Sequence, residues 1–516
     1  MTTLIELETK YFASGVQHLG NTEVIPHLDA NAYFAALQDA LDMATSPDDV
    51  VYMSCWLIRP EMQLKPNVSP TLVNVLHQKA ELGMDVRVIV WTGPFLTGGG
   101  SIDAKSWWDT GFAYAAEIRG KGFTDNVKNN INMVRSMRGY NPNNHERPPL
   151  LGSVLMDYGA SKWGARHQKV AIVYHKATND LRAFVGGIDP APSRFGSPGH
   201  PETNKWHDAA VELRGGAAMA VWADFRTRWK EAVTLSNRFL RIEGQMTNFN
   251  NDETITRPLV PLPPNVTVQS DYGVRILRSY ATFKESPWGG EDRPWATLPP
   301  DGVREILPTY IRAINSATRN PDPNGPPSYI YIEDQYLNTW EGRIEHDLLY
   351  PAIAQAVNRG VKVIFVVPGR SDPDDPGTGE NRTWSITLSH ALSDIEFDQW
   401  HNFVVYRVHN TMVHTKVVLI NDEFLSIGSA NFADRSMEGL DTELQAAIVT
   451  PGSLVRDFRV KLWADHLRIN LTSSIADELG DLKKSLALFQ PDWGTGVSFD
   501  PKDTTAFRLV DPLTIP

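Results

Sequence analysis

In each half of the chain, helix-like and strand-like patterns of apolar residues occur in the same order. Some stretches space their apolar residues every three or four positions, as one buried face of a helix requires, and others are short apolar runs typical of buried strands. The succession helix, strand, helix, strand is found at residues 31–44, 50–58, 71–83 and 86–91, and again at 304–317, 329–337, 349–360 and 361–367. It predicts an α/β unit with a largely parallel or mixed sheet, present twice.

Each succession ends in the same short pattern, a histidine and a lysine separated by one residue. The copies are His167 with Lys169 and His414 with Lys416, and each precedes an apolar run and a turn of small residues. From the histidine to the first glycine of that turn is 19 residues in the first copy and 14 in the second, which predicts a longer hairpin in the first. Because strand side chains alternate, we expect the histidine and lysine of each copy on one face of a strand. Two such pairs predict one active site built from two halves.

A proline-rich stretch near the middle of the chain separates the two halves. Residues 246–270 contain four prolines between positions 258 and 264. Proline lacks a backbone donor and fixes its own backbone angle, so such a stretch is typical of a connector. The predicted organisation is a first lobe at 1–245, a linker at 246–270 and a second lobe at 271–516.

Composition narrows the class of protein. The chain has 516 residues, of which 42% are hydrophobic and 21% charged, so it can bury a large core. Its formal net charge is −12, which disfavours a nucleic-acid partner because such binding depends on clustered Lys and Arg at phosphates. A local basic cleft stays open as an alternative.

Cysteine content and the apolar runs bear on the compartment. Cys55 is the single cysteine of the chain and lies in an apolar run, so we expect a buried free thiol and no internal disulfide. The first residues show no basic region followed by a long apolar run, and no apolar run approaches about 18 residues. We therefore expect a monomeric cytoplasmic protein, or one exported by a route that needs no signal peptide.

Several further motifs occur in a fixed order around the two H-x-K copies. They are GGID at 186–189, WHD at 206–208, FRTRW at 225–229, YIEDQYL at 331–337, IGSANFADRS at 427–436 and GLDTE at 439–443. In this combination the chain resembles the phospholipase D superfamily over nearly its whole length, and its eukaryote-like branch in particular. The resemblance implies a duplicated phospholipase D fold, in which two α/β lobes, each with a mixed sheet flanked by helices, are related by a pseudo-two-fold axis.

The resemblance also implies a chemistry for the paired motifs. A phosphodiester needs its oxygens neutralised while a nucleophile and an acid stand in line. Lys169 and Lys416 would supply charge, and Asn431 a hydrogen-bond donor. His167 would attack phosphorus to give a phosphohistidine, and His414 would act as acid and base, although the residues alone leave open which histidine plays which part. No step needs a metal or other cofactor, and the sequence shows no metal-ligand spacing.

Acidic and amide side chains complete the expected site. Asp208 and Glu443 are the candidates for holding the histidines in one tautomer, with Asp441 as the reserve for the second. Asp189 occupies the position that corresponds to Asn431 and is expected to line the pocket. Further candidates for substrate binding are Glu333, Gln335, Ser429 and Trp384.

Two loops follow equivalent predicted strands, at residues 95–108 and 369–384. Ligands of α/β sheets bind at the carboxyl ends of strands, where both loops begin. Trp107, Trp108 and Trp384 lie in these loops, and their amphipathic rings suit a lipid interface.

The motif departs from the family pattern at one position. The family usually has aspartate seven residues after each histidine, whereas this chain has Tyr174 and Asn421, with Asp422 one residue later. Since that aspartate is thought to support the fold, we expect local compensation by Asp422 or by a backbone group.

These observations predict an enzyme that hydrolyses glycerophospholipids at a membrane or micelle surface. The products would be phosphatidic acid and the free head group, formed through a phosphohistidine intermediate, with transfer to another alcohol as a variant of the reaction. A nuclease or other non-lipid phosphodiesterase is the alternative within enzymes. A scaffold that keeps the fold with weakened turnover is the alternative from another class.

Overall fold

The structure of the protein is a computed structural model. It describes residues 2–13, 21–91, 153–157, 165–196, 206–243, 257–263, 266, 268, 272–280, 302–336, 349–368, 393–408, 411–466, 471–487 and 507–509. The predicted loops with Trp107, Trp108 and Trp384 lie outside the described residues.

The first lobe is built on a seven-stranded mixed sheet. The strands in the described part of this half are β1 (Thr22–Leu28), β2 (Val50–Cys55), β3 (Asp85–Trp91), β4 (Ser153–Asp157), β5 (Val170–His175), β6 (Asp180–Gly186), β7 (Trp206–His207) and β8 (Ala209–Gly215). All but β7 form one sheet in the order β1-β8-β6-β5-β2-β3-β4. The pairs β2–β3 and β3–β4 are parallel, and the other neighbours are antiparallel.

The second lobe repeats this topology. Its described strands are β9 (Gly273–Tyr280), β10 (Val303–Arg304), β11 (Tyr329–Glu333), β12 (Lys362–Pro368), β13 (Phe403–Val408), β14 (Met412–Val413), β15 (Val417–Ile420), β16 (Phe424–Gly428), β17 (Glu443–Val449) and β18 (Phe507–Leu509). The central order β9-β17-β16-β15-β11-β12-β13 matches the first sheet strand by strand, with the same two parallel pairs. The predicted duplicated α/β fold is confirmed.

Helices cover the faces of both sheets. They are α1 (Leu4–Tyr11), α2 (Asp29–Met43), α3 (Leu72–Glu81), α4 (Gly216–Glu243), α5 (Ile306–Ser316), α6 (Leu349–Asn358), α7 (Asp434–Met437), α8 (Leu454–His466), α9 (Ser473–Gly480) and α10 (Leu482–Ala487). Helices α2 and α3 pack on the outer face of the first sheet, and α5 and α6 on that of the second. No helix in the described part of the chain is long and apolar enough to cross a membrane.

The two lobes share one apolar core. Inner-face residues of both sheets, such as Ile172 and Leu419, belong to a single buried cluster. Trp222 of α4 and Trp463 of α8, both 0% exposed, fill it from either lobe. A continuous core of this kind fixes the lobes relative to one another, because separating them would expose a large apolar area.

The first helix lies on the second lobe. Leu7 and Tyr11 of α1 are buried in the cluster that α5 and α6 form with the second sheet, and the Tyr11 ring stacks on Phe424 with centroids 5.3 Å apart. We therefore propose that residues 246–270 separate the two sheets, whereas α1, which precedes the first sheet in the chain, packs on the second lobe.

Equivalent hairpins account for the difference in motif spacing. In the first lobe β5 and β6 are joined through residues 176–179, and Val170 lies opposite Val185. In the second lobe Val417 lies opposite Ile427, and the hairpin of β15 and β16 is shorter at its tip. The predicted insertion in the first hairpin is confirmed. Cys55 is a buried free cysteine, also as predicted.

Candidate active site

Backbone pairing between the lobes brings the two motifs together. The amide of His167 donates to the carbonyl of Thr442 at 3.0 Å, and the amide of His414 donates to the carbonyl of His207 at 2.8 Å. Strands β7 and β14 extend the second pairing as a short parallel ladder. Each motif is therefore clamped against the other lobe. The two imidazole rings face one another at the lobe interface with centroids 6.4 Å apart, so the predicted juxtaposition of the two histidines is confirmed.

The motifs lie immediately before strands rather than within them. Strand β5 begins at Val170 and β15 begins at Val417. Their pairing with β2 and β11 ends at these residues, and the preceding motif residues pair with the opposite lobe instead. The prediction of H-x-K within a strand is wrong in this respect. In each copy the lysine ammonium donates to the carbonyl of its own histidine, at 2.7 Å for Lys169 and 2.5 Å for Lys416.

Each histidine is held by a carboxylate from the opposite lobe. Nδ1 of His167 lies 3.0 Å from Glu443, and Nδ1 of His414 lies 2.7 Å from Asp208. The two carboxylates occupy equivalent places at the start of β17 and just before β8. Asp441, the reserve candidate, instead binds Arg435 and the amide of Ala165.

The tautomer of His167 follows from its partners. Nδ1 also lies 2.9 Å from the carbonyl oxygen of Ser429, which can only accept a hydrogen bond. Nδ1 therefore carries the hydrogen, and Nε2 keeps the lone pair that a nucleophile or base needs.

The surroundings of the two carboxylates differ. Glu443 accepts hydrogen bonds from the hydroxyls of Ser429 at 2.5 Å and Ser436 at 2.6 Å. Asp208 accepts from the amide of Ala209 at 2.8 Å. Gly187 stands at the position equivalent to Ser429, and a Cβ there would collide with the carboxylate of Asp208. The first lobe thus uses glycine where the second uses a hydroxyl.

Buried polar groups flank the two lysines. Nζ of Lys169 lies 3.5 Å from the carboxylate of Asp189, and Nζ of Lys416 donates to Oε1 of Gln335 at 3.4 Å. Asn431, the counterpart of Asp189, is 5% exposed, and its Oδ1 has no hydrogen-bond partner among the described residues. Asp189, Gln335 and Ser429 thus lie beside the motifs, as expected for lining residues, whereas Trp384 is outside the described residues.

Glu333 lies behind the motif residues. Its carboxylate accepts from the hydroxyl of Thr415 at 2.5 Å and faces Nε2 of His207 at 2.9 Å and of His466 at 2.9 Å. It is 0% exposed, so it supports the second motif from behind through Thr415.

Burial and the two lysines set the charge of the histidines. Burial lowers the pKa of His167 well below its usual value, and the charges of Lys169 and Lys416 lower it further. Burial, followed by Lys416 and Arg194, lowers the pKa of His414 in the same way. Both imidazoles are therefore favoured in the neutral form, and the net positive charge of the site resides on the lysines.

The carboxylates and Lys416 are shifted toward their uncharged forms. Burial raises the pKa of Asp208 to about 7, and burial with the charge of Asp441 raises that of Glu443 to about 8. Burial lowers the pKa of Lys416 to about 8. Such shifts arise where charges lack water, and an anion entering the site would stabilise the charged lysine.

This donor set favours an oxyanion over a metal ion. Two ammonium groups close to the histidine pair would repel a cation but attract phosphate oxygens. The two imidazoles can contact a phosphoryl group from opposite sides when it lies between them. The arrangement is therefore suited to transfer of a phosphoryl group between two oxygen atoms.

Sequence reasoning missed residues that support the pair. The guanidinium of Arg194 lies 3.1 Å from the ring centre of Trp206, whose ring packs 4.8 Å from that of His414. Ser436 is the last residue of the IGSANFADRS motif and Arg194 follows GGID, but serine and arginine at these places carry no spacing signal. Only the folded arrangement reveals them.

Comparisons with known proteins find phospholipase D-like relatives. Residues 310–465, which include the second motif, match the family model described as cardiolipin synthase, PLD-like domain. Phospholipase D A of Dictyostelium discoideum is 22% identical over 86% of this chain, and phospholipase D alpha 1 of Ricinus communis is 23% identical over 83%. The second half of the chain thus matches a PLD-like domain, and most of the chain is similar to phospholipases D. The family predicted from the motifs is confirmed.

The chain spans only part of those relatives, 35% of the Dictyostelium protein and 63% of the Ricinus protein. Among solved structures it is similar to a phosphatidylserine synthase from Haemophilus influenzae, with a TM-score of 0.47, 11% identity and coverage of 95% of this chain and 98% of that one. It is also similar to Nuc, a phospholipase D family member from Salmonella typhimurium, with a TM-score of 0.24, 16% identity and coverage of 36% and 89%.

Proposed function

We propose that this protein is a phosphodiesterase that cleaves the head-group ester of glycerophospholipids and releases phosphatidic acid. The observation that carries the proposal is the pair of imidazoles 6.4 Å apart, each oriented by a carboxylate of the opposite lobe. Half of the 6.4 Å between the ring centroids is about 3.2 Å, which is comparable to the spacing of about 3 to 3.5 Å between reacting atoms in a near-attack geometry.

The first half of the reaction forms a bond to His167. Its Nε2 lone pair attacks phosphorus, the bond from phosphorus to the head-group oxygen breaks, and His414 gives its proton to the departing alcohol. His414 must hold that proton when substrate binds. The negative charge of the phosphodiester offsets the lysines and raises the pKa of this imidazole, so binding itself favours the protonated form.

The second half restores the enzyme. His414, now neutral, takes a proton from water, the water oxygen bonds to phosphorus, and the bond from phosphorus to His167 breaks. Another alcohol in place of water would give a transferred product by the same steps. Lys169 and Lys416 neutralise the phosphate oxygens in both halves.

The assignment of His167 as nucleophile rests on the family resemblance. Its greater exposure, 14% of the side chain against 5% for His414, is consistent with this role. The symmetry of the two pairs means that geometry alone supports either assignment.

Two observations support a lipid rather than a nucleic acid as substrate. The relatives that match most of this chain are named phospholipases D. The formal net charge of −12 also gives the surface little attraction for a long polyanion, whereas a single phosphodiester needs only the two buried lysines.

A substrate panel tests the proposal. Phosphatidylcholine, phosphatidylethanolamine, cardiolipin, single-stranded DNA and an aryl phosphodiester would be incubated with the enzyme, and products identified by mass spectrometry with and without butanol. We expect phosphatidic acid, and a butyl ester in the presence of butanol. Cleavage of DNA without cleavage of any lipid would instead favour the nuclease, and turnover of none of the five would favour the scaffold.

Histidine variants link any activity to the site. His167→Ala and His414→Ala should each abolish turnover with an unchanged circular dichroism spectrum, because both roles occur in one cycle. His401 is exposed and outside the site, so His401→Ala is the matched control and should keep wild-type rates.

A further inference from the structure

A second cluster of ionisable side chains lies at the lobe interface, behind the motif residues. His207 comes from β7 of the first lobe, and His466 ends α8 of the second. Their rings pack with centroids 4.6 Å apart, and both are 0% exposed. Glu333 faces Nε2 of both rings at 2.9 Å. One carboxylate thus orients two imidazoles, which is the arrangement that supports metal-ligating histidines in proteins.

Two aspartates face the other side of this histidine pair. Nδ1 of His207 lies 3.1 Å from Oδ1 of Asp29 and 3.5 Å from Oδ2 of Asp465. One ligand atom from each of His207, Asp465 and His466 lies within 4.8 Å of the others. Tetrahedral zinc, with bonds of about 2.0 to 2.2 Å, separates its ligand atoms by about 3.3 Å. The distances of 3.1 Å and 3.5 Å from Nδ1 of His207 to the two aspartates are close to this separation.

One carboxylate oxygen beside His207 is buried without a hydrogen-bond partner in the described part of the chain. Asp29 is 2% exposed, and its Oδ2 has no hydrogen-bond partner among the described residues. A divalent cation bound to Nδ1 would instead balance both carboxylates at once.

The backbone of Asp29 has an uncommon conformation. Its φ is 64°, in the left-handed region that side-chain-bearing residues seldom adopt. Such strain persists where the surroundings demand it and occurs preferentially at ligand sites. Here it places the carboxylate at the start of α2 beside His207.

We propose that Asp29, His207, Asp465 and His466 bind one zinc ion, and that Glu333 orients both imidazoles. Imidazole and carboxylate together suit zinc, whereas magnesium and calcium prefer oxygen ligands alone. Two ligands come from each lobe, so the ion would bind the lobes to one another. Its role would be structural, because the cluster is buried behind the motif residues. By fixing His207, the ion would also fix the neighbouring Asp208, whose carboxylate holds His414.

Metal content tests the proposal directly. Untagged protein from zinc-supplied cells would be dialysed against chelator, and its metal measured by inductively coupled plasma mass spectrometry. We expect one zinc per chain, and a lower melting temperature after metal is removed by unfolding and refolding with chelator. Protein refolded with Co²⁺ should show the visible absorption of a tetrahedral site. Less than about a tenth of an ion per chain, in both native and zinc-refolded protein, would overturn the proposal.

Variants separate this site from the catalytic histidines. Asp465→Asn and His466→Gln should lose the metal, whereas His167→Gln and His414→Gln should retain it. Metal retained in the first pair, or lost from the second pair, would place the ion elsewhere and overturn the assignment. If His466→Gln fails to fold, the near-isosteric Asp465→Asn and the wild-type measurement still decide. The test is independent of lipid turnover, so it can fail while the proposed function holds.

Discussion

Oδ2 of Asp208 lies 2.7 Å from Nδ1 of His414, although the two residues come from opposite lobes. Glu443 and His167 repeat the relationship in the other direction at 3.0 Å. Neither lobe therefore contains an oriented histidine by itself. This exchange joins the two copies of the motif into one candidate site, and it makes the geometry of each histidine depend on correct docking of both lobes.

The first prediction concerns these carboxylates. Asp208→Asn should lower kcat by roughly 10²- to 10⁴-fold, because an amide can present its NH₂ to Nδ1 and favour the wrong tautomer of His414. Steady-state kinetics would measure the loss, with circular dichroism as a check of folding. Asp441→Asn is the comparison, since that carboxylate binds Arg435 and not a histidine. Equal losses in both variants would argue against a specific role for Asp208.

The repeated elements could be predicted from the sequence because local pattern determines them. The apolar runs at 50–55 and 329–333 form strands as predicted, and both have neighbouring strands on either side. The hairpin insertion also followed from counting residues between histidine and glycine. Such features depend on neighbours in the chain, and periodicity records them.

Contacts between the lobes could not be predicted in the same way. The sequence named Asp208 and Glu443 as partners of the histidines, but their exchange between the lobes depends on docking. The packing of α1 on the second lobe and the place of His466 beside His207 likewise depend on the assembled core. No spacing in the chain records a contact between residues more than 200 positions apart.

The second prediction concerns Gly187, which lies against the carboxylate of Asp208. Gly187→Ala should reduce kcat to a similar extent as Asp208→Asn, because the added Cβ would displace the carboxylate that orients His414. Gly480→Ala is the control, since nothing lies within 4 Å of a Cβ at that position. Melting temperatures would be compared to separate a local displacement from a loss of fold. Unchanged kinetics for Gly187→Ala would show that Asp208 tolerates the shift.

The third prediction concerns pH. Lys416 is charged below its pKa, which burial lowers to about 8, and the charge is needed for phosphate oxygens. Since the proposed mechanism uses this charge, we expect kcat/KM to fall as pH rises through about 8. In Lys416→Arg the guanidinium stays charged throughout this range, so the normalised profile should lose that fall whatever its absolute rate. A fall at the same pH in both proteins would assign it to another group.

The fourth prediction concerns the difference between the lobes at Asp189 and Asn431. The carboxylate of Asp189 lies 3.5 Å from Nζ of Lys169 and offsets part of its charge. Asp189→Asn should therefore tighten inhibition by inorganic phosphate, on the order of tenfold, which corresponds to about 1.4 kcal/mol. The reciprocal change Asn431→Asp should weaken it. Inhibition constants would be measured at fixed ionic strength, and shifts of the same sign in both variants would contradict the electrostatic explanation.

The last prediction concerns the positions where the motif aspartates are replaced. Asp422 forms an ion pair with Arg459, whose Nε lies 2.7 Å away. It also accepts a hydrogen bond from the hydroxyl of Tyr329 at 2.6 Å. Oδ1 of Asn421 accepts a hydrogen bond from the backbone amide of Tyr329 at 2.9 Å. Tyr174, at the equivalent place in the first lobe, donates to Asn179 at 3.0 Å. Asp422 thus supplies the local support that the sequence led us to expect in the second lobe.

Asn421→Asp should consequently change activity little and lower the free energy of unfolding by about 1 kcal/mol or less, because it adds a charge beside Asp422 while keeping an acceptor for Tyr329. Asp422→Asn should cost more, roughly 1–3 kcal/mol, because the Arg459 guanidinium, whose side chain is 0% exposed, would lose its carboxylate partner. Urea unfolding and lipid turnover would be measured for both variants. A large gain in turnover from Asn421→Asp would show that the natural asparagine weakens the enzyme, and would favour the scaffold over the catalyst.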